Sequence, residues 1–266
     1  MESDRNQDYE QFKERFFRLT GINLSLYKEE QMKRRLNSFR ARKQFPDLVA
    51  LADGMEQSGE LLDQVLSRMT INVTEFFRNA SRWQILEDKI KGIAARKENL
   101  TVWSAACSTG EEPYSLSMLI GKYFSGNHYR IVATDIDREV LRQAEAGIYQ
   151  QQAVSGFSAE EQQQFFTIKG PFYRIRPELK RSVRFLRHDL LRDPAPGRFD
   201  VIVCRNVLIY FTEEGKSLIY QKFGHALNQG GILFVGSTEQ IFRPDIFGLA
   251  SAESFFYRKQ DKKQSE

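Results

Sequence analysis

After residue 99 the chain repeats one pattern: a short apolar run, followed in most cases by a stretch with helical spacing. The runs are "LTVWSAA", "YRIVATD", "VRFLRHD", "FDVIVCR", "GILFVGS" and "SFFYRK", and each reads as a strand. Strands that alternate with helices specify an α/β fold with a mostly parallel, doubly wound sheet, whose ligands bind at the carboxyl ends of the strands. One segment departs from the pattern. Between Ile148 and Ser182, "FTIKGPFYRIRPELKRS" alternates apolar and charged residues around a Gly-Pro turn. This predicts a small antiparallel β-subdomain inserted at about residues 150–183.

Ahead of this part, from Tyr9 to about Arg96, apolar residues recur at three and four, as in Tyr9, Phe12, Phe16 and Leu19 or Leu61, Leu62, Val65, Leu66 and Met69. That spacing predicts helices. Gly21, "FPDL" and "QSGE" break them, with Ser25 and Ser58 as caps. The resulting division is an all-helical domain over 1–80, a linker helix over 81–98 and an α/β domain over 99–266, with a frayed polar tail after Arg258. A chain of 266 residues with 41% hydrophobic content can bury two unequal cores of this kind.

Composition excludes several classes. No apolar run approaches the roughly 20 residues that span a bilayer, and "MESDRNQDYEQF" lacks the apolar centre of a signal peptide. A cytoplasmic monomer without membrane insertion is expected. Cys107 and Cys204 lie far apart in apolar surroundings and read as buried free thiols. His128, His188 and His225 show no ligand spacing, so no metal site is expected. A net charge of +4 does not by itself imply nucleic acid.

The stretch "SAACSTGEEPYS", Ser104 to Ser115, follows the first strand and opens a helix. A dinucleotide fold would place three glycines and a pyrophosphate there. Here one glycine precedes Glu111 and Glu112, which would repel phosphate and attract an ammonium group. Glu111 reads as a partner of the helix dipole, and Glu112 as a ligand for the cation. At the end of the second strand Asp135 stands where this fold sets an acid against ribose hydroxyls, while Asp137 reads as a helix cap. In "RHDLL", Asp189 and Leu190 suit the polar edge and the flat face of an adenine. A nucleoside with an ammonium group and no phosphate describes S-adenosylmethionine.

Taken together, "NVTEFFRN", "SAACSTGEEPYS", "ATDID", "GIY" and "CRNVLIYF" resemble the chemotaxis receptor methyltransferases, the CheR family, from about Phe12 to Tyr257. The resemblance implies a Rossmann-like S-adenosylmethionine-dependent methyltransferase domain whose last strand is antiparallel, behind a helical receptor-recognition domain. It implies transfer of methyl groups to the γ-carboxylates of glutamates on the cytoplasmic helical domains of chemoreceptors, with S-adenosylhomocysteine as product. Cofactor roles pass to Asn72, Thr74, Arg78, Glu112, Asp135, Arg205 and Asn206. Asp189 replaces an asparagine common in relatives, yet a carboxylate still accepts a hydrogen bond from an amino group. Tyr210 matches the tyrosine lining the methyl-transfer pocket. Arg78 and Tyr210 are the expected catalytic pair, the arginine holding one carboxylate oxygen in its fork and the tyrosine orienting the group.

In "KEEQMKRRLNSFRARKQF" the residues Lys33, Arg34, Arg35, Arg40, Arg42 and Lys43 form a basic run beside an apolar stripe of Met32, Leu36 and Phe39. A solvated face would look the same. With glutamate-rich receptors as substrate, the run becomes a docking surface led by Arg35 and Arg42, with Lys33, Arg34 and Arg40 as alternatives. It would also suit the rival reading, an RNA methyltransferase, but "CRNVLIYF" stands where an Asn-Pro-Pro-Tyr type sequence would grip a base amine. A third reading, a non-catalytic receptor adaptor that keeps the cofactor fold, conflicts with the presence of Arg78 and Tyr210. Some relatives dock a receptor tail peptide on the inserted ribbon through a longer, glycine-bearing loop. The compact turn at Lys169, Gly170 and Pro171 predicts tether-independent recognition instead.

Overall fold

The computed structural model describes residues 2–70, 72–125 and 128–260. The front of the chain is helical: α1 (Glu2–Thr20), α2 (Glu29–Arg42), α3 (Leu48–Gln57), α4 (Gly59–Met69) and α5 (Ala80–Ala94). The three-and-four spacing of Tyr9, Phe12 and Phe16 puts all three rings in one buried core with Met32, Leu36 and Phe39 of α2. Gly21 stops α1 because its φ of +74° is open to glycine, and its N–H donates back to the Phe17 carbonyl (2.7 Å). Helix α3 is capped twice, by Asp47 on the Ala50 N–H (2.7 Å) and by Asp8 of α1 on the N–H groups of Leu48 and Val49. Ser58 caps α4 as its sequence predicts. Ser25 does not cap a helix. Asn23, two residues earlier, has the amide oxygen that reaches the Ser25 N–H (3.0 Å) and turns the chain through a single 3-10 turn.

The remainder is β1 (Leu100–Ala105), α6 (Glu111–Ile120), β2 (Tyr129–Asp135), α7 (Arg138–Ala146), β3 (Ile148–Gln150), α8 (Ala159–Phe165), β4 (Phe166–Lys169), β5 (Phe172–Ile175), α9 (Pro177–Arg181), β6 (Val183–Arg187), β7 (Phe199–Cys204), α10 (Glu213–Ala226), β8 (Leu227–Val235), β9 (Leu249–Glu253) and β10 (Phe256–Lys259). Seven strands form one sheet in the order β6-β2-β1-β7-β8-β10-β9. From β6 to β8 neighbours are parallel, whereas β10 pairs antiparallel with both β8 and β9. The order reverses at β1, which places the ligand crevice outside its carboxyl end.

One face of the sheet carries Trp103, Ile202 and Leu233 against α10, and the other carries Val102, Val201 and Ile232 against α5 and α6. Helix α5, a link in the sequence reading, contributes Trp83, Leu86 and Ile90 to this second core. The inserted unit is three-stranded, because Ile148–Gln150 joins the ribbon to give the order β3-β5-β4. Edge strand β9 was hidden in the sequence, since "LASAE" carries neither a long apolar run nor a strict alternation. The polar tail begins later than its composition suggests: Lys259 pairs with Leu249, and the Gln260 N–H donates to the Gly248 carbonyl. Residues 261–266 of that tail lie outside the described residues. No helix among the described residues is long and apolar enough to cross a membrane.

Candidate active site

Strand β1 ends in a turn wound through three left-handed residues, Ala106 (φ +63°), Ser108 (φ +50°) and Gly110 (φ +93°). Only Gly110 is sterically obligatory, since a Cβ there would lie 2.9 Å from the Ala144 Cβ and 3.1 Å from the Tyr149 hydroxyl. The turn delivers Glu111 and Glu112 to the N-terminus of α6 on different sides. Glu111 is buried, accepts the Thr109 hydroxyl (2.7 Å) and faces away from the crevice. Glu112 faces into it and accepts the Ser104 hydroxyl (2.7 Å). Burial raises the Glu112 pKa, and the charge of Arg205 opposes that rise.

At the end of β2, Asp135 is 7% exposed and accepts the N–H groups of Ser108 (2.9 Å) and Asp137 (3.1 Å). Burial still dominates and pushes its pKa up to about 6. Asp137 caps α7 through the Glu139 N–H (2.8 Å) and also accepts the Thr70 hydroxyl and the Asn72 amide. The Asn72 side chain therefore ties the segment after α4 to α7. At the end of β6, Asp189 uses one oxygen to cap the next turn at the Leu191 N–H (2.8 Å), leaving the second for a ligand. Leu190 beside it is buried, and Lys222 of α10 holds the turn from behind through the carbonyls of Leu190 and Asp193.

The end of β7 supplies Arg205, Asn206 and, one 3-10 turn later, Tyr210. Arg205 is nearly buried, lies 4.7 Å over the Phe234 ring and donates to the Arg78 carbonyl (2.8 Å). Asn206 has φ +61°, a conformation asparagine tolerates better than most residues. A residue the sequence reading passed over holds this turn together. Glu239, 3% exposed, accepts the N–H groups of Gly236 (2.7 Å), Asn206 (2.9 Å) and Leu208 (2.7 Å). Its one sequence signal is an acid in "GSTEQ", just past a fully apolar strand.

The segment between α4 and α5 closes the crevice with Thr74 and Arg78. Its backbone is left-handed at Phe77 (φ +49°) and Asn79 (φ +61°), a cost of about 1 to 3 kcal/mol each. Arg78 reaches back to the Val73 carbonyl (3.1 Å), and its own carbonyl also accepts the Trp83 indole N–H (3.0 Å).

Asn72, Thr74, Arg78, Glu112, Asp135, Asp189, Leu190, Arg205, Asn206 and Tyr210 all line one cleft. The five basic residues of α2 separate. The Arg35 guanidinium stacks over the Tyr210 ring at 4.6 Å and donates to the Met69 carbonyl. Lys33 pairs with Glu29 (2.5 Å) and covers the Tyr9 ring. Arg40 binds the carbonyls of Phe45 and Pro46 and finishes the helix. Arg34 and Arg42 are exposed, the Arg42 guanidinium lying 5.5 Å over the Phe39 ring.

These donors fit a nucleoside with a charged tail better than a nucleotide. The Glu112 carboxylate faces the crevice at the helix N-terminus where a phosphate would sit, and among the described residues Arg205 Nε and Ser108 Oγ are buried in the wall without a protein partner. Comparison with known proteins agrees. Residues 7–70 match the family described as CheR methyltransferase, all-alpha domain, and residues 72–256 the CheR methyltransferase, SAM binding domain. A chemotaxis protein methyltransferase of Listeria monocytogenes is 45% identical over 258 residues, covering 96% of this chain and 98% of its own length. Chemotaxis protein methyltransferase 1 of Pseudomonas aeruginosa is 35% identical, covering 90% and 92%, and a chemotaxis protein methyltransferase of Escherichia coli is 34% identical, covering 84% and 80%. With a nucleoside cleft at the switch point of its sheet and both family segments in order along its length, the chain belongs to the CheR methyltransferases and is an S-adenosylmethionine-dependent methyltransferase.

Proposed function

We propose that this enzyme methylates the γ-carboxylates of glutamates on the cytoplasmic helical domains of chemoreceptors, giving γ-glutamyl methyl esters, and that it does so in the cytoplasm. The observation that carries the reading is the stacking of Arg35 on Tyr210, which brings the basic helix α2 to the wall of the cleft that also holds Arg78. An acceptor that meets α2 and then Tyr210 is recognised as an anion. The names of the relatives point to the same pathway.

Little acid-base chemistry is required of the chain. A glutamate with a reference pKa of about 4.3 is already ionised at neutral pH, so no general base has to create the nucleophile. S-adenosylmethionine, when bound, supplies the electrophilic methyl group and a neutral leaving group. Glu112, Asp135, Asp189 and Leu190 hold it from the strand ends. Arg78 takes one acceptor oxygen in its fork, Tyr210 donates a hydrogen bond to orient the group, and the cleft strips water from it. Charge is annihilated in the reaction, so a moderate grip serves better than a tight one: an arginine pairing the carboxylate too well would stabilise the ground state. The helices of residues 1–80 serve as the receptor-reading unit.

The test is to incubate the protein with radiolabelled S-adenosylmethionine and receptor-containing membranes. Label should enter the receptor band and be released in mild alkali as methanol. Alkali-stable label, or label in RNA, would replace this acceptor with another.

A further inference from the structure

We infer that the inserted three-stranded unit positions the methyl-transfer site, and that Phe76 is the residue through which it acts. The Phe76 ring is the hub of an aromatic cluster. It meets Tyr149 at 4.9 Å, Phe157 at 5.3 Å and Phe166 at 5.6 Å, in each case edge to face, and all three belong to the insert. Its neighbour Phe77 meets Phe157 on one side and Trp83 of α5 on the other. Phe76 lies between Thr74 and Arg78, so the segment that brings both to the cleft is fixed by rings from a different part of the chain.

The segment needs such fixing. Phe77 and Asn79 are both left-handed, and a bulky aromatic at positive φ persists only where its surroundings over-determine it. The backbone is tied at the Phe77 N–H, which donates to Ser115 Oγ (3.0 Å), and at the Arg78 carbonyl. Between Asn72 and Phe77 the aromatic cluster is the main hold. The same insert touches a second wall of the cleft, because the Tyr149 hydroxyl donates to the Thr109 carbonyl (2.8 Å) in the turn that presents Glu112. Edge-to-face contacts fix a ring's direction as well as burying it. Phe76 is thus a positioning residue, acting through Thr74 and Arg78.

The cofactor half of this inference stands on the family's cofactor, and the acceptor half rests on the function proposed above. Phe76→Leu keeps an apolar group but loses the ring. It should raise the calorimetric Kd for S-adenosylhomocysteine at least fivefold and lower kcat for receptor methylation more than tenfold. With 5-fluorotryptophan incorporated, the ¹⁹F resonance of Trp83 should shift while that of Trp103, the other of the two tryptophans, stays in place. Phe76→Tyr, which retains the ring, should match wild type. Phe247→Ala is the control: it removes a ring that meets Tyr220 of α10, outside the insert, with an equal or larger fall in Tm, and should move none of these values. If Phe76→Leu does not fold, Phe157→Leu asks the same question from the insert's side. Neither the Kd nor the fluorine signal requires a methyl acceptor, so a wrong acceptor leaves both intact. Wild-type Kd and an unmoved Trp83 resonance in the leucine variant, or equal changes in Phe247→Ala, would overturn the inference.

Discussion

Asp135 presents to the cleft a carboxylate whose proton is lost near neutrality. Its pKa is pushed up to about 6 by burial, against about 3.9 in an unfolded chain, so the folded protein binds the extra proton between those values. This group therefore adds stability to the cofactor-free fold as pH falls through 6, and the contribution is lost as pH rises. Cofactor affinity runs the other way, because protonation removes both the charge and an acceptor lone pair. Calorimetry should find affinity flat from pH 8 to about 6 and weakening below, by at most about tenfold per pH unit. A flat titration down to pH 5 would remove Asp135 from the contact. Arg78→Ala should cut turnover strongly with the fold intact, since the side chain lies at the cleft and its main-chain anchors remain. Turnover at the wild-type rate would end the positioning role given to it. The position of Asp135 and Glu112 at the cleft was legible in the sequence because strand ends and helix starts are. Glu239 was not, because its partners at Asn206 and Leu208 are backbone N–H groups of a turn more than thirty residues away, which no local pattern announces.

At the scale of elements, the turn from Arg205 to Phe211 depends on that acid. Replacing Glu239 by Gln sets an amide NH₂ against converging N–H donors, and leaving one unsatisfied costs about 1 to 3 kcal/mol. Urea unfolding should show that loss, and turnover should fall further than stability explains, because Tyr210 rides on the same turn. Helix α2 divides its charges by function. Arg34 and Arg42 are exposed, so reversing both to glutamate should slow receptor methylation at low salt and matter less at high salt. Arg35 is engaged with Tyr210, so Arg35→Glu should lower kcat at any salt concentration. Similar salt slopes for the two variants would return Arg35 to a plain docking role. Helical spacing revealed the stripe of Met32, Leu36 and Phe39, but not which cations bend back to the protein. For Arg35 that choice is made by Met69 and Tyr210, which arrive from elsewhere in the fold, and for Arg40 by the turn through Phe45 and Pro46 that follows the helix.

For the whole molecule, alternating period predicted the order of strands and helices, and the third strand of the insert and the edge strand β9 escaped because each is short and weakly patterned. The approach of the front helices to the sheet was equally unreadable. It runs through a short antiparallel contact in which the Lys28 N–H donates to the Tyr210 carbonyl (2.8 Å) and the Thr212 N–H to the Leu26 carbonyl (2.9 Å), with Tyr27 and Phe211 bridged between them. A fragment of residues 72–260 loses this contact and the cleft lining of Tyr27, Leu66 and Met69. It should bind S-adenosylhomocysteine at least tenfold more weakly by calorimetry and methylate nothing. Side chains lock onto these peptide groups: the Tyr27 and Phe211 rings meet at 4.8 Å and Arg35 stacks on Tyr210, so residues from both halves of the chain define the joint together. Lineages that exchange front halves by recombination therefore keep a working seam only where both parents carry matching rings and cations at these positions.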